Sequence, residues 1–470
     1  MSSILIKDPL LCCRMKEDVN TKDVLDTFSG GHIYIEDNII VSAGPEEFTG
    51  SADKLIDANR MLVLPGFINT HHHFFQTLTR NIFSTQKAEL FDWLVTNYEI
   101  WRGISKEAFY VSAKVAMAEL LKSGCTTTSD HLYLFPNSSE GTLIDSEIEA
   151  AQELGMRFQP TRGFMSLSKK DGGLPPEDVV QSEEEIFEDI ERLVKEYHND
   201  SFGAMCKISL APCSPFSVTA DSMRKTVEIA KKHNLQIHTH LAETKDEEEF
   251  CIERSGKRPF EFMKSLGWIS SNAWFAHSIF LNDEEIKDAG RVKIGVSHCP
   301  SSNMRLGSGI ARIKEMLEAG VNVSVAVDGS ASNDSSNMLV EIRNAMLISR
   351  LREPEFWLNT EEVLWMATIG GAKALGRDDI GQIKVGKCAD LNLINMDKLE
   401  YSGALHDPAA AIVFNVAMNP VDHVIVNGKL IVENGQIADL NELQLVKRHQ
   451  KISADLVDVA EKRLTQRLKR

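Results

Sequence analysis

Along most of the chain, short apolar runs alternate with longer amphipathic stretches. Phe67 to Thr70, Thr126 to Ser129, Met156 to Pro160, Lys207 to Ala211, Gln236 to Thr239, Trp274 to Ala276, Lys293 to Ser297 and Val321 to Val327 read as buried strands. Between them, Ser105 to Lys122, Ser182 to Tyr197, Ser222 to His233 and Ile310 to Ala319 repeat apolar residues at helical spacing. Eight such units predict an α/β fold, a (β/α)8 barrel of the TIM type, over residues 65–379. A doubly wound sheet is the alternative, but no Gly-x-Gly-x-x-Gly loop follows the first strand.

The two ends have a different texture. Residues 1–64 offer short strands at Ser3 to Lys7, His32 to Glu36, Ile39 to Ala43 and Lys54 to Asp57. Residues 380–439 repeat the pattern at Asp390 to Ile394, Val424 to Val426 and Lys429 to Val432, with Val426-Asn427-Gly428-Lys429 as a hairpin turn. The end pieces are expected to pair into one small β domain. Residues 440–470 read as a charged amphipathic packing helix ending in Arg467, Lys469 and Arg470.

A chain of 470 residues exceeds one small core. Its net charge of −17 repels phosphate backbones, so nucleic acid is not an expected partner. The eight cysteines show no Cys-x-x-Cys spacing. Lys7 and Asp8 come too early for a signal peptide, and no run approaches the ~18 apolar residues of a membrane span. The expectation is a reduced, cytoplasmic, soluble protein with no membrane partner.

Chemistry-bearing residues collect at the ends of the predicted strands, where barrel enzymes hold their sites. His71 and His73 follow the first strand, and alternation turns both to one face and His72 to the other. Alone, three histidines also fit an exposed polar turn. Asp130-His131, His238 and His240 with Glu243 three residues on, His277, His298 and Asp328 then repeat the pattern. So many such groups at one end of successive strands point to a divalent-metal site.

Pro65-Gly66 before His71-x-His73, then His240-x-x-Glu243, His277 and Asp328, resembles the amidohydrolase superfamily in its mononuclear deaminase and chlorohydrolase branch. The resemblance covers nearly the whole chain. It includes a β-sandwich domain built from both chain ends, whose second half opens at Gly381-Gln382-Ile383 and runs on to Ala389-Asp390-Leu391. It implies His71, His73, His240 and Asp328 as ligands of one Zn2+ per subunit, with Fe2+ as the other candidate. Glu243, His277 and Asp328 would be catalytic, and the chain an aminohydrolase and homo-oligomer. Lys207, on a predicted strand, is the position to compare with the carboxylated lysine of binuclear relatives, and is expected to be structural. Cys213 and Cys299 stand alone, which excludes cytidine-deaminase-type zinc binding.

Further segments, including Asn69 to Arg80, Ser129 to Leu134, Thr161-Arg162-Gly163, Lys169 to Pro176, Leu210 to Pro215 and Asp328 to Asp334, look like the deaminases of oxidised purines and related lactams. They imply 8-oxoguanine and water as substrates, with urate and ammonia as products. Isoxanthopterin, guanine or an s-triazine is the alternative ring, and a catalytically inactive scaffold the remote one. Gln76 could pair with a lactam edge, Arg162 neutralise an oxidised purine, and Cys213 line the pocket. Surface, helix-capping or packing roles are the alternatives for these three. The aromatic segment Lys87 to Ile104 is either an active-site lid or an outer helix packing its aromatic face.

Overall fold

Eight parallel strands lie side by side in chain order: Phe67–Asn69, Cys125–Leu132, Arg157–Phe164, Ser209–Pro212, Ile237–Leu241, Ala273–His277, Gly295–His298 and Asn322–Val325. This computed structural model describes residues 2–21, 24–137, 139, 142–415 and 420–468. Side chains and single backbone contacts draw the last strand to the first. Val327 N–H donates to Asn69 Oδ1 at 3.0 Å, and Asp328 N–H donates to the His71 carbonyl at 3.1 Å. The Thr70 hydroxyl lies 2.7 Å from those of both Ser297 and Ser324. The result is the expected (β/α)8 barrel, with helices such as Lys106–Lys122, Glu183–Tyr197 and Ala220–His233 outside it. Ser182 and Glu185 form a reciprocal cap at the start of Glu183–Tyr197, satisfying backbone donors that the helix end leaves free.

The apolar run from Met61 to Ile68 is two strands, not one. Met61–Pro65 pairs antiparallel with Leu391–Asn395 in a seven-stranded sheet, while Phe67–Asn69 starts the barrel. Gly66 is where the chain changes sheets: a Cβ there would lie 2.2 Å from Thr126 Oγ1. The seven-stranded sheet draws on both chain ends, and a four-stranded sheet (Ser3–Lys7, His32–Glu36, Ile39–Gly44, Lys54–Asp57) comes from the first end alone. Ile6, Ile33, Ile35, Ile40, Val63, Leu391, Leu393 and Ile425 form the buried core of this β-sandwich. Leu11–Met15 and Leu25–Phe28 were not legible as strands. The first carries buried neighbours at Cys12 and Cys13 and so lacks clean alternation.

The last helix, Glu442–Leu468, packs on the loop that follows His73. Ser453 Oγ donates to the Leu78 carbonyl at 2.6 Å, and His449 Nε2 lies 3.0 Å from Thr77 Oγ1. Lys469 and Arg470 lie outside the described residues. Among the described residues no helix is long and apolar enough to cross a membrane.

Barrel and sandwich are joined by a fully buried ion pair. Arg157 Nη1 bonds Asp390 Oδ1, and Arg157 Nη2 donates to Asn427 Oδ1 at 2.9 Å. Breaking such a pair strands one buried charge, whereas replacing both partners with apolar groups does not. Asp390→Leu should therefore cost roughly 3–5 kcal/mol. The double variant Arg157→Met/Asp390→Leu should recover most of that loss, as read from chemical denaturation midpoints.

Candidate active site

His71 and His73 lie just beyond the first barrel strand, in irregular backbone, so the strand end rather than the strand itself is their platform. All three neighbouring histidines are buried, which removes the exposed-turn reading. His72 turns away: its Nδ1 accepts the His73 N–H at 2.8 Å, and its Nε2 lies 2.9 Å from Ser336 Oγ.

Hydrogen bonds on the far side of each ring decide which nitrogen carries the proton. His73 Nδ1–H donates to the His131 carbonyl at 2.8 Å, and His240 Nδ1–H to the Cys213 carbonyl at 2.6 Å. His238 Nδ1–H donates to the Trp274 carbonyl at 2.9 Å, so its bare Nε2 accepts His71 Nδ1–H at 2.8 Å. The Nε2 atoms of His71, His73 and His240 are thus all lone pairs, and all point inward. His73 and His240 Nε2 are 3.2 Å apart, and Asp328 Oδ1 is 3.3 Å from Nε2 of both His71 and His73. His71 Nε2 has no hydrogen-bond partner.

Burial lowers the pKa of all three imidazoles, to about 3 for His240. Burial alone would raise that of Asp328, but His277, itself shifted toward its charged form, helps to hold it well below the usual carboxylate range. Bare nitrogens and a carboxylate facing one another repel unless a cation lies among them. The set fits a divalent ion.

Beside this cluster stand Glu243 and His277. His277 Nε2 is 3.6 Å from Glu243 Oε2 and 3.9 Å from Asp328 Oδ2, and its Nδ1–H donates to Asn303 Oδ1 at 2.9 Å. Burial pushes Glu243 up to about 7, opposed by His277 and helped by Asp328 and Glu247. Burial pulls His277 down, yet Glu243, Asp328 and Asn303 leave it raised. Ala242, His277, Ser278 and Asp328 all have positive φ, between 51° and 68°. Such backbone costs about 1–3 kcal/mol per residue and is characteristic of sites that must hold a geometry.

These groups open into a cavity whose lining includes Gln76, Tyr133, Cys213, Phe216, Leu306 and Ser332. Helix Leu90–Trp101 contributes Leu90, Trp93 and Leu94 to the wall, while its Tyr98 and Trp101 pack inward against the core. The segment thus serves both as wall and as packing helix. A Cβ on Gly329 would lie 1.9 Å from Gln76 Oε1, so that glycine makes room for the amide. Burial pushes the Cys213 thiol up to about 12, keeping it neutral.

Arg162 is a correction. His131 faces the barrel axis and Thr161 is its register partner, so strand alternation turns Arg162 outward. Its guanidinium is held by Asp189 at 2.5 Å and Gln181 at 2.8 Å, over the Phe135 ring, away from the cavity. Lys207 likewise lies off the site, with its ammonium on Asp200. Asn303, Tyr133, Phe216 and the orienting role of His238 were missed. Tyr133 was within reach of the sequence, because it lies two residues beyond His131 on the same face. Nothing in the spacing marks Asn303.

The Amidohydrolase family model matches residues 62–431. An 8-oxoguanine deaminase from Pseudomonas aeruginosa is 45% identical over 460 residues, covering 97% of this chain and 100% of its own. A hydroxydechloroatrazine ethylaminohydrolase from Pseudomonas sp. is 33% identical, covering 91% of this chain and 92% of its own. The crystal structure of an atrazine chlorohydrolase from Arthrobacter aurescens TC1, complexed with zinc, superposes with a TM-score of 0.90 at 29% identity, covering 96% of this chain and 100% of that one. With a family model across the barrel and relatives matched over nearly its whole length, the chain belongs to the amidohydrolase family and is a hydrolase acting on C–N bonds.

Proposed function

We propose that the chain is a zinc-dependent aminohydrolase of a free oxidised purine, converting 8-oxoguanine and water to urate and ammonia. The observation that carries this reading is the meeting of three bare imidazole nitrogens and Asp328 with a protonatable Glu243 at one cavity wall. Similarity to an 8-oxoguanine deaminase supports the choice of ring. His71, His73, His240 and Asp328 would hold the ion. The zinc complex of atrazine chlorohydrolase favours zinc, although the donor set also accepts ferrous iron. When bound, such an ion supplies a water acidified toward neutral pH.

The protein's own residues then carry the protons. Asp328, ionised, takes one proton from the attacking water. Glu243, poised near neutrality, gives its proton to the ring nitrogen beside the amine-bearing carbon, sparing the ring a negative charge. His277, held by Asn303 and faced by both carboxylates, is placed to steady the incoming oxygen. Asp328 returns its proton to the departing amine, which leaves as ammonia. The second water proton restores Glu243 as the new carbonyl forms.

In the same cavity, the Gln76 amide would meet the lactam edge, and Cys213 would serve as a small apolar surface. The second reading keeps this chemistry and changes the ring to isoxanthopterin, guanine or a triazine. The similarity to hydroxydechloroatrazine ethylaminohydrolase favours it.

Ammonia release by the zinc-loaded protein should be strongest on 8-oxoguanine when guanine, isoxanthopterin and an aminated triazine are assayed alongside. Turnover confined to another ring would replace the substrate and leave the proton chemistry standing. Glu243→Gln should lower kcat by about 10²–10⁴-fold with metal content unchanged. Gln76→Leu removes one partner of a buried hydrogen bond and should raise KM for 8-oxoguanine about tenfold or more. Gly329→Ala, by displacing the same amide, should move KM in the same direction, as read from steady-state kinetics.

A further inference from the structure

Four residues beyond Glu243 lies a second buried carboxylate that the chemistry above does not use. Glu247 is fully buried, and none of the described ion pairs involves it. Its two oxygens are spent on backbone: Oε1 accepts the Ala242 N–H and Oε2 the Glu243 N–H, both at 2.8 Å. Helix capping does not account for this. Helix Lys245–Ser255 has Thr244 as its N-cap and Glu247 at the third helical position, and a capping box would bring Glu247 back to the Thr244 N–H. Instead it reaches one and two residues further back, into the loop that carries Glu243.

The residue it grips is the hub between two catalytic loops. Ala242 sits at φ +52°, a conformation that a residue with a side chain adopts at a cost. Its carbonyl accepts N–H groups from Ile279 at 2.9 Å and Phe280 at 3.0 Å, and the Leu241 carbonyl accepts the Ser278 N–H at 3.0 Å. Ile279 and Phe280 follow His277 and Ser278, themselves at φ +68° and +51°. One chain of bonds therefore runs from the Glu247 carboxylate through Ala242 to the loop of His277. The 3.6 Å separation of His277 Nε2 and Glu243 Oε2 lies across that chain.

We propose that Glu247 is a positioning residue for the hydrolysis: its carboxylate holds the Ala242–Glu243 backbone against the His277 loop and so sets where Glu243 delivers its proton. The proposal rests on the reading of Glu243 as proton donor. Burying a carboxylate without a cation is expensive, and two backbone donors at 2.8 Å offset that cost only if both bonds are kept. A neutral amide of the same shape accepts one N–H and turns its own NH2 toward the other. Glu247→Gln therefore loosens the loop with little change in volume.

The experiment compares wild type, Glu247→Gln and Glu243→Gln, each loaded with zinc, for metal stoichiometry, melting temperature, KM and kcat per bound metal on 8-oxoguanine. Glu247→Gln should bind a full complement of metal, keep KM within about twofold, and lose about 10- to 100-fold in kcat per bound metal, the scale of a small misplacement of a reacting group. A purely structural role would lower melting temperature and yield while each metal-loaded molecule kept wild-type kcat, and that result overturns the proposal. If the variant does not fold, Glu247→Asp keeps the charge and shortens the reach by one methylene. A wild-type kcat per bound metal in Glu247→Asp overturns the proposal equally. Failure of the underlying reading is separable, because it appears as undiminished turnover in Glu243→Gln itself.

Discussion

Three imidazole nitrogens with lone pairs, turned toward one another and toward a carboxylate, are the arrangement on which the rest of the structure depends. Left to themselves in a buried setting these groups would separate or take up protons. They do neither, because every ring is anchored from behind. The carbonyls of His131, Cys213 and, through His238, Trp274 claim the Nδ1–H of each ring and leave Nε2 bare. Those carbonyls sit on or just after barrel strands. The ladder that builds the barrel thus also sets the tautomers of the site.

The surrounding architecture keeps that arrangement from relaxing. The sandwich, joined to the barrel through Arg157 and Asp390, supports the N-terminal ends of the strands. The last helix presses on the loop that follows His73. Positive φ at Ala242, His277, Ser278 and Asp328 places the local cost of this geometry in the loops around Glu243, His277 and Asp328. A rigid frame around strained loops suits the proton transfers proposed for these groups, since small displacements there are costly in rate.

The barrel was legible because its strands announce themselves by apolar runs, and six of the eight also by the chemistry at their ends. The same strand-end pattern picked out His71, His73, His240, Glu243, His277 and Asp328, which the structure brings together. Arg162 was misread because a cationic residue near a strand end looks functional until register is known. Its neighbour Thr161, opposite His131, is the one facing the axis, and a single residue's shift exchanges the two faces. Asn303 and Glu247 were out of reach for a different reason. Each acts through a loop whose path no periodicity encodes, and each touches the site from a short helix that reads as ordinary surface.

The lining of the cavity carries two kinds of group. On the proposed function, Glu243, His277 and Asp328 act on a carbon that bears a leaving group and adjoins a ring nitrogen, a feature that many heterocycles share. On that reading, choice falls to the rest of the lining, Gln76, Tyr133, Cys213, Phe216 and the helix residues Leu90, Trp93 and Leu94. Apolar contact there discriminates weakly between rings of similar size, whereas a buried amide left unpaired by the wrong ring discriminates strongly. Gln76 and Tyr133 both carry a donor and an acceptor there, and Gly329 is bare so that the Gln76 amide fits. On the proposed function, the identity of the ring is therefore written less in the histidine–aspartate cluster than in the residue that follows Asp328 and in the amide resting against it.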